Sequence, residues 1–535
     1  MTEPFNFNVL TDPWVPLLRD GGMHRVSLVA LLTDPDCDAE EMGHPREDFG
    51  FLARVLASGI VQALWPAPDR EALEDRIDQP MTREEVDPVV VRFREGFNLL
   101  GDRAFMQPVG SKGDPSSNDT TKLMLDVSSS SRPKLLRHDR EYEGLCPACM
   151  TLALFGAQFL ATGTGSTPAK NLIDGQLPAG IKSRIGYESG IRGPSSLITL
   201  VHHLSVRGAV WKNTLVGLPQ DRDSTPWSGV VLDWKSAYLQ PRRRDSIPVV
   251  EGIFWQPRAV ECRELSVGLC DACGDRGPLI AAYGYSIGLA NGLKDGFFRD
   301  PWLPIWHVKS LPRAQETPTK QPVWTGLADM LSMVGGTADT MHRDRVPEAA
   351  PVVQQHLGWG SGNISLLVFG QSTNNASLVA RFAETLSLSM RTGDDGQELL
   401  SYLRGRVQQA EKCLQALHDF LKKAWSPEKK SKASYWPHDA AANFWLQTEG
   451  PFLDEKRLLE SDASDPAASV WTQHLRRISL AIFDALTEGA AIDPVRAHRV
   501  AHARRGLRSA LNKLLSLQDN PKKVKADDTS SPSPD

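Results

Sequence analysis

Apolar residues follow two textures that meet near residue 375. Before it, apolar runs of strand length are separated by Gly, Pro and Ser. After it, apolar residues recur every three or four positions over long stretches, the spacing of one helix face. The opening FNVLTDPWVPLLRDGGMHRVSL (7–28) predicts two short strands joined at Asp20–Gly22, because Asp-Gly and Gly-Gly supply the left-handed backbone of a tight hairpin. DFGFLARVLASGIVQALW (48–65) has helical spacing. Strand-type runs recur as SLITLVHHLSV, VVEGIFW, PWLPIWHV and ISLLVFG between 196 and 370, with proline-rich punctuation at 311–322. Two polar stretches without periodicity predict surface loops: the serine-rich 112–133 and the Gly/Ser/Pro-rich 163–196.

Beyond residue 375, ASLVARFAETLSL, GQELLSYLRGRVQQAEKCLQALHDFLKKAW, AANFWLQTEGPFLDEK, VWTQHLRRISLAIFDALTEG and DPVRAHRVAHARRGLRSALNKLLSL all read as amphipathic helices. The last has Asp493 as N-cap, Pro494 at the first helical position, and Val500, Leu507, Leu511 and Leu514 on one face. Loops of bundle length separate them. The fold class expected is α+β: a large mixed α/β body at 1–370, in one or two lobes, then a C-terminal four-helix bundle at 371–517. A polar tail, 518–535, has a composition that cannot bury enough apolar surface to order itself.

Length and charge narrow the class. A chain of 535 residues exceeds one core, so about two to four domains are expected. An apolar fraction of 41% and a charged fraction of 23% belong to a globular chain. No apolar run reaches the roughly 18–20 residues of a membrane span. The start MTEPFNFNVLTDPW lacks a basic segment followed by an apolar one, so the expectation is a cytoplasmic protein without membrane attachment. At a net charge of −5, nucleic-acid binding would have to come from local basic patches or from basic partners.

The candidate chemistry begins at EGLCPACMTLALFG (143–156), where Cys146 and Cys149 precede an apolar run of helical character. A second pair, Cys270 and Cys273, stands in GLCDACGDRG, with Gly274 suited to the tight turn of a metal knuckle. Two CxxC pairs supply four thiolates, the donor set of a closed structural Zn²⁺ site without an open position for water. More than a hundred residues part the pairs, so the metal would staple distant segments of one domain. A redox dithiol and unmetallated thiols are the alternatives, although redox chemistry needs only one pair. Cys37, Cys262 and Cys413 lack partners at ligand spacing.

Catalytic patterns are sparse. There is no GxxxxGK[ST], HExxH or GxSxG. The dipeptides His138–Asp139, His418–Asp419 and His438–Asp439 leave a metal-dependent nuclease or nucleotide hydrolase as the alternative reading, which would need further His and Asp ligands on neighbouring helices, and His202–His203 falls in a strand-like run. Lys294 amid glycines and aromatics (GLKDGFF) and the amides of FGQSTNNAS are materials for nucleic-acid contact without chemistry.

Taken in order, NVLTDPWVPL (8–17), RAFMQPVG (103–110), CPAC, SGIRGPSSLITLV (189–201), GIFWQPRAVEC (252–262) and NNASLVARF resemble the CasA large subunits of type I-E CRISPR Cascade complexes. The resemblance runs through nearly the whole chain. It implies a non-enzymatic subunit, one copy per complex, beside the backbone and small subunits and the 5′ handle of the guide RNA. Such subunits read a short protospacer-adjacent motif in target double-stranded DNA through the minor groove, start strand separation and help recruit the helicase-nuclease of antiviral defence.

Carried over by motif, the family's lysine finger matches Lys294, and its amide wedge falls on Asn374 and Asn375, with Asn375 where relatives have Gln. Its glycine loop matches Gly163, Gly165 or Gly186, because an insertion near 167–185 divides it within a mobile loop of about 163–193. Its handle-contacting mobile loop corresponds to about 112–142, with Leu135 in place of the tip aromatic. Arg476, Arg477, Arg504, Arg505 and Arg508 give the bundle a basic face, which either guides the displaced strand or is simply solvated.

Overall fold

The computed structural model describes residues 5, 7–101, 104–107, 118–124, 142–160, 195–218, 247–256, 258–287, 298–308, 311–318, 321–333, 345–360, 362–374, 377–389, 394–425, 439–460, 468–488 and 494–516. The chain forms two compact units, one of 1–317 with 330–387, the other of 318–329 with 388–535.

The first unit opens with β1 (Val15–Arg19) and β2 (Gly22–Val26), antiparallel from Val15↔Val26 to Arg19↔Gly22. Asp20 (φ 51°) and Gly21 (φ 74°) both take the left-handed backbone that the Asp-Gly-Gly sequence foretold. β3 (Glu41–Met42) pairs on the other side of β1.

Two helices fill the centre. α1 (Leu28–Thr33) leads to α2 (Glu47–Leu64), in which sixteen of eighteen residues are buried. After α3 (Arg70–Asp78), α4 (Arg83–Phe93) and α5 (Thr120–Leu123) comes α6 (Pro147–Phe159), buried at every position. A Cβ on Gly156 of α6 would lie 2.7 Å from Leu52 Cδ1 of α2, so glycine is what lets the two axes approach. Helices apolar all round belong in a core.

Around them lie β4 (Ile198–Val201), α7 (Val206–Lys212), α8 (Val249–Ile253) and a long antiparallel hairpin of β5 (Arg258–Leu269) and β6 (Arg276–Ile287). β7 (Ile305–Val308) sits between β8 (Leu311–Ala314) and β9 (Arg345–Glu348). A last sheet has the order β11-β10-β4, with β10 at Asn363–Asn374 and β11 at Ser377–Ser389.

Three expectations are corrected here. VVEGIFW is the helix α8 and not a strand: Pro248 starts it, and an apolar run this short has no period to tell the two apart. ASLVARFAETLSL is β11 and not a helix. Phe382, Leu386 and Leu388 fit a period of two as well as one of four, and pairing with β10 decides between them. Within the expected loop 112–142, α5 is anchored: the Asp119 N–H donates to the Ala282 carbonyl (2.7 Å), and Thr120 and Leu123 are buried.

In the second unit, α9 (Leu327–Met330) closes a segment returning from the first. Then come α11 (Asp394–Trp425), α12 (Asp439–Glu460), α13 (Ala468–Thr487) and α14 (Pro494–Ser516); α10 (Pro351–Gly358) belongs to the first unit. α11 packs against α12, α13 and α14. Trp324 of the returning segment stacks on Phe452 (centroids 4.4 Å apart) and meets Trp445 edge-on. The buried Arg406–Glu455 pair (2.7 Å) joins α11 to α12. On α14 the buried stripe is Ala503, Leu507, Leu511 and Leu515, whereas the expected Val500 and Leu514 are half-buried flanks. The helix packs against both α11 and α13 along this stripe. No helix of the described residues is long and apolar enough to cross a membrane.

Candidate functional site

The two cysteine pairs meet. Cys146 is the N-cap of α6, with Pro147 at the first helical position, and Cys149 lies in the first turn. Cys270 and Cys273 form the turn of the β5–β6 hairpin. Gly274 (φ 82°) donates its N–H to the Cys270 carbonyl (2.8 Å), and the Cys270 N–H donates to the Asp275 carbonyl (2.8 Å). The segments are also tied without metal. Asp271 Oδ2 accepts the N–H groups of Glu143 (2.8 Å) and Gly144 (3.0 Å), and Leu145 exchanges both backbone bonds with Ile280.

All four Sγ atoms lie within 4.8 Å of one another, and Cys146 Sγ is 3.7 Å from Cys273 Sγ. Tetrahedral zinc with bonds of about 2.3 Å separates its sulfurs by about 3.8 Å, so the donor set fits the ion. The thiols hydrogen-bond to one another and so titrate apart. Hydrogen bonding to Cys146, then Cys149, lowers Cys273 to about 5, and the same contacts hold Cys270 low. Cys149 is pushed up by its hydrogen bond to Cys146 and by burial. A divalent cation would favour the thiolate at all four.

Two further residues reach the cluster. Arg25 of β2 pairs with Asp275 and brings Nη2 to 3.9 Å from Cys149 Sγ, while His44 Nε2 lies 3.3 Å from the same sulfur. Sequence reasoning missed both, for they stand 124 and 105 residues from Cys149 in no motif. Cys262 and Cys413 are buried and Cys37 half-buried, outside the cluster.

Most of the other candidate residues cannot be set against the structure. Lys294, Asn375, Gly163, Gly165, Gly186, Leu135, His138, Asp139, His438, Asp493, most of the loop 112–142, all of 163–193 and the tail lie outside the described residues. Asn374 ends β10, three positions before β11 begins. Arg477, Arg504, Arg505 and Arg508 are exposed and Arg476 is half-buried. Arg504 is committed to Asp484 through two bonds of 2.6 and 2.7 Å. His418 and Asp419 lie on α11, with Asp419 accepting a bond from Gln415 (3.0 Å). His202 and His203 line a cavity of about 820 Å³ together with Arg54, Met42 and Leu367. Burial lowers both histidines, and lowers Arg54 to about 10.

The stems of these segments lie at different distances from the cysteine cluster. Tyr142, after the loop expected at 112–142, is four residues from Cys146. The glycine segment follows the far end of α6, ~20 Å along a helix of thirteen residues. The Lys294 segment follows the far end of β6, ~40 Å along twelve residues. Only the first loop leaves the centre directly.

Fold and site define a class: an α+β body with a cluster of four cysteines that could hold a metal ion, followed by a helical unit. Residues 8–482 match the family described as CRISPR-associated protein Cse1, and the chain belongs to that family. Its fold is similar to CasA of Thermus thermophilus (TM-score 0.68, 16% identity, 96% of this chain and 99% of that one). It is likewise similar to Thermobifida fusca Cse1 (TM-score 0.65, 19% identity, 96% and 98%). A chain of a structure described as a CRISPR RNA-guided surveillance complex also matches (TM-score 0.62, 16% identity, 95% and 100%).

Proposed function

We propose that this chain is the non-catalytic large subunit of a type I-E CRISPR surveillance complex, reading the protospacer-adjacent motif in duplex DNA. The observation that carries the reading is the family match, which extends over 8–482 and so through both units. The likeness to a chain of a surveillance complex supports partnership with backbone and small subunits and with the guide RNA handle. In this reading Lys294 and the amides Asn374 and Asn375 enter the minor groove, whose degenerate pattern suits short amide and ammonium donors. Glycines at 163, 165 and 186 let backbone approach the duplex closely. β10 and β11, the strands on either side of residues 375–376, span twelve and thirteen residues, a length suited to carrying a wedge that starts strand separation. The four long helices form a four-helix bundle whose exposed arginines meet the displaced strand, and the assembly recruits the helicase-nuclease. Protein reads the flanking motif while base pairing reads the rest.

Cys146, Cys149, Cys270 and Cys273 would hold Zn²⁺. When bound, the ion supplies a cross-link and no chemistry, because four thiolates leave no open position. It would fix the β5–β6 turn on the head of α6.

The test is a reconstituted complex carrying Lys294→Ala, Asn374→Ala and Asn375→Ala together. Discrimination between correct and incorrect flanking motifs should fall at least about tenfold, since each lost base-edge contact is worth about 1–3 kcal/mol. Undiminished discrimination would overturn this assignment of residues.

A further inference from the structure

A tetrathiolate zinc centre carries two excess negative charges, and a half-buried site must offset them with N–H donors. Cys149 is the innermost of the four sulfurs, in a residue with no exposed surface. Two nitrogen donors that reach it come from neither cysteine segment. His44 follows β3, and its Nδ1 accepts the backbone N–H of Arg46 (3.0 Å). That bond places the ring proton of the neutral imidazole on Nε2, the nitrogen 3.3 Å from Cys149 Sγ. Packing against Phe49 (centroids 5.1 Å apart) keeps the ring in this orientation. Arg25 comes from β2 with its side chain 17% exposed. It divides its guanidinium between Cys149 Sγ and the carboxylate of Asp275, two residues beyond Cys273.

We infer that His44 and Arg25 are positioning residues of the metal centre: both donate to the Cys149 thiolate, and Arg25 clamps the first cysteine pair to the second. The inference rests on the zinc reading above. Its consequence is that the N-terminal sheet belongs to the metal site. The β1–β2 hairpin supplies the guanidinium that reaches the Cys149 sulfur, and the stretch after β3 supplies the imidazole. Both contacts are lost if that sheet moves away from α6, so metal retention reports on the docking of the N-terminal sheet.

The test uses the purified full chain and the variants Arg25→Met, Arg25→Lys, His44→Phe and His44→Gln. Zinc per chain, the rate of zinc transfer to a chelator, and the thiolate-to-metal charge-transfer band after cobalt substitution are measured. Wild type should hold one zinc. Arg25→Met and His44→Phe should each retain it about 10–100-fold less tightly, the usual effect of removing an outer-shell partner. Their cobalt bands should shift to lower energy, because a sulfur without its N–H donor is easier to oxidise. A change of packing alone would leave the band in place. His44→Gln, which keeps a donor, and Arg25→Lys, which keeps the charge, should recover part of both effects, and they carry the test if the other variants fail to fold. Wild type with zinc and variants with unchanged release and bands would overturn the inference alone. Wild type without zinc, its thiols reduced, would overturn the inference and the zinc reading together.

Discussion

At residue level, the cysteine pairs and Gly274 were legible because each needs only its neighbours in sequence: the CxxC spacing sets the bite, and the glycine supplies φ 82°. Arg25 and His44 were not, since their meeting with Cys149 depends on the placement of a separate sheet. His356 of α10 was equally silent. It is buried, donates from Nε2 to the Lys212 carbonyl (2.8 Å) and meets Trp359 edge-on. Burial is the main cause that lowers its pKa from 6.5 to about 4. The unfolded chain therefore takes up this proton first, so the contribution of His356 to stability declines as pH falls from about 6.5 towards 4. The loss reaches up to about 3 kcal/mol. His356→Gln keeps a donor but does not titrate. Its urea midpoint should fall less than that of wild type between pH 7 and 4.5, and parallel curves would contradict the assignment.

Long, strongly periodic elements were readable, and short apolar runs were not. α2 and the helices from α11 onward repeat their pattern over several turns. VVEGIFW and ASLVARFAETLSL satisfy two periods at once, so a proline start settles one and a partner strand the other. The approach of α2 to α6 was hidden because it depends on one missing methyl. Gly156→Val improves helix propensity by a few tenths of a kcal/mol, which alone predicts slight stabilisation. Its Cβ would instead meet Leu52 Cδ1 at 2.7 Å, between two helices whose residues are almost all buried. Overpacking of this kind costs about 1–3 kcal/mol and outweighs propensity. The melting transition of the α/β unit should therefore fall by several degrees. An unchanged or higher transition would show that the helices can move apart.

For the whole molecule, the order of weak motifs along the chain was more informative than any single one, and the family match from 8 to 482 agrees with it. The division into units was readable only in part. β10 and β11 remain with the α/β unit up to 387, and 318–329 crosses into the helical one, because Trp324 finds its aromatic partners there. Such an exchange leaves no local trace in sequence. The functional account requires that this chain, and not the guide-bearing remainder of a complex, reads the flanking motif. The direct measurement is a mobility-shift titration of reconstituted complex, with and without this chain, on duplexes that differ only in that motif. With the chain present, affinity should vary at least about tenfold across motifs, and without it the differences should vanish. Equal affinity for all motifs with the chain present, or discrimination that persists in its absence, would contradict the account.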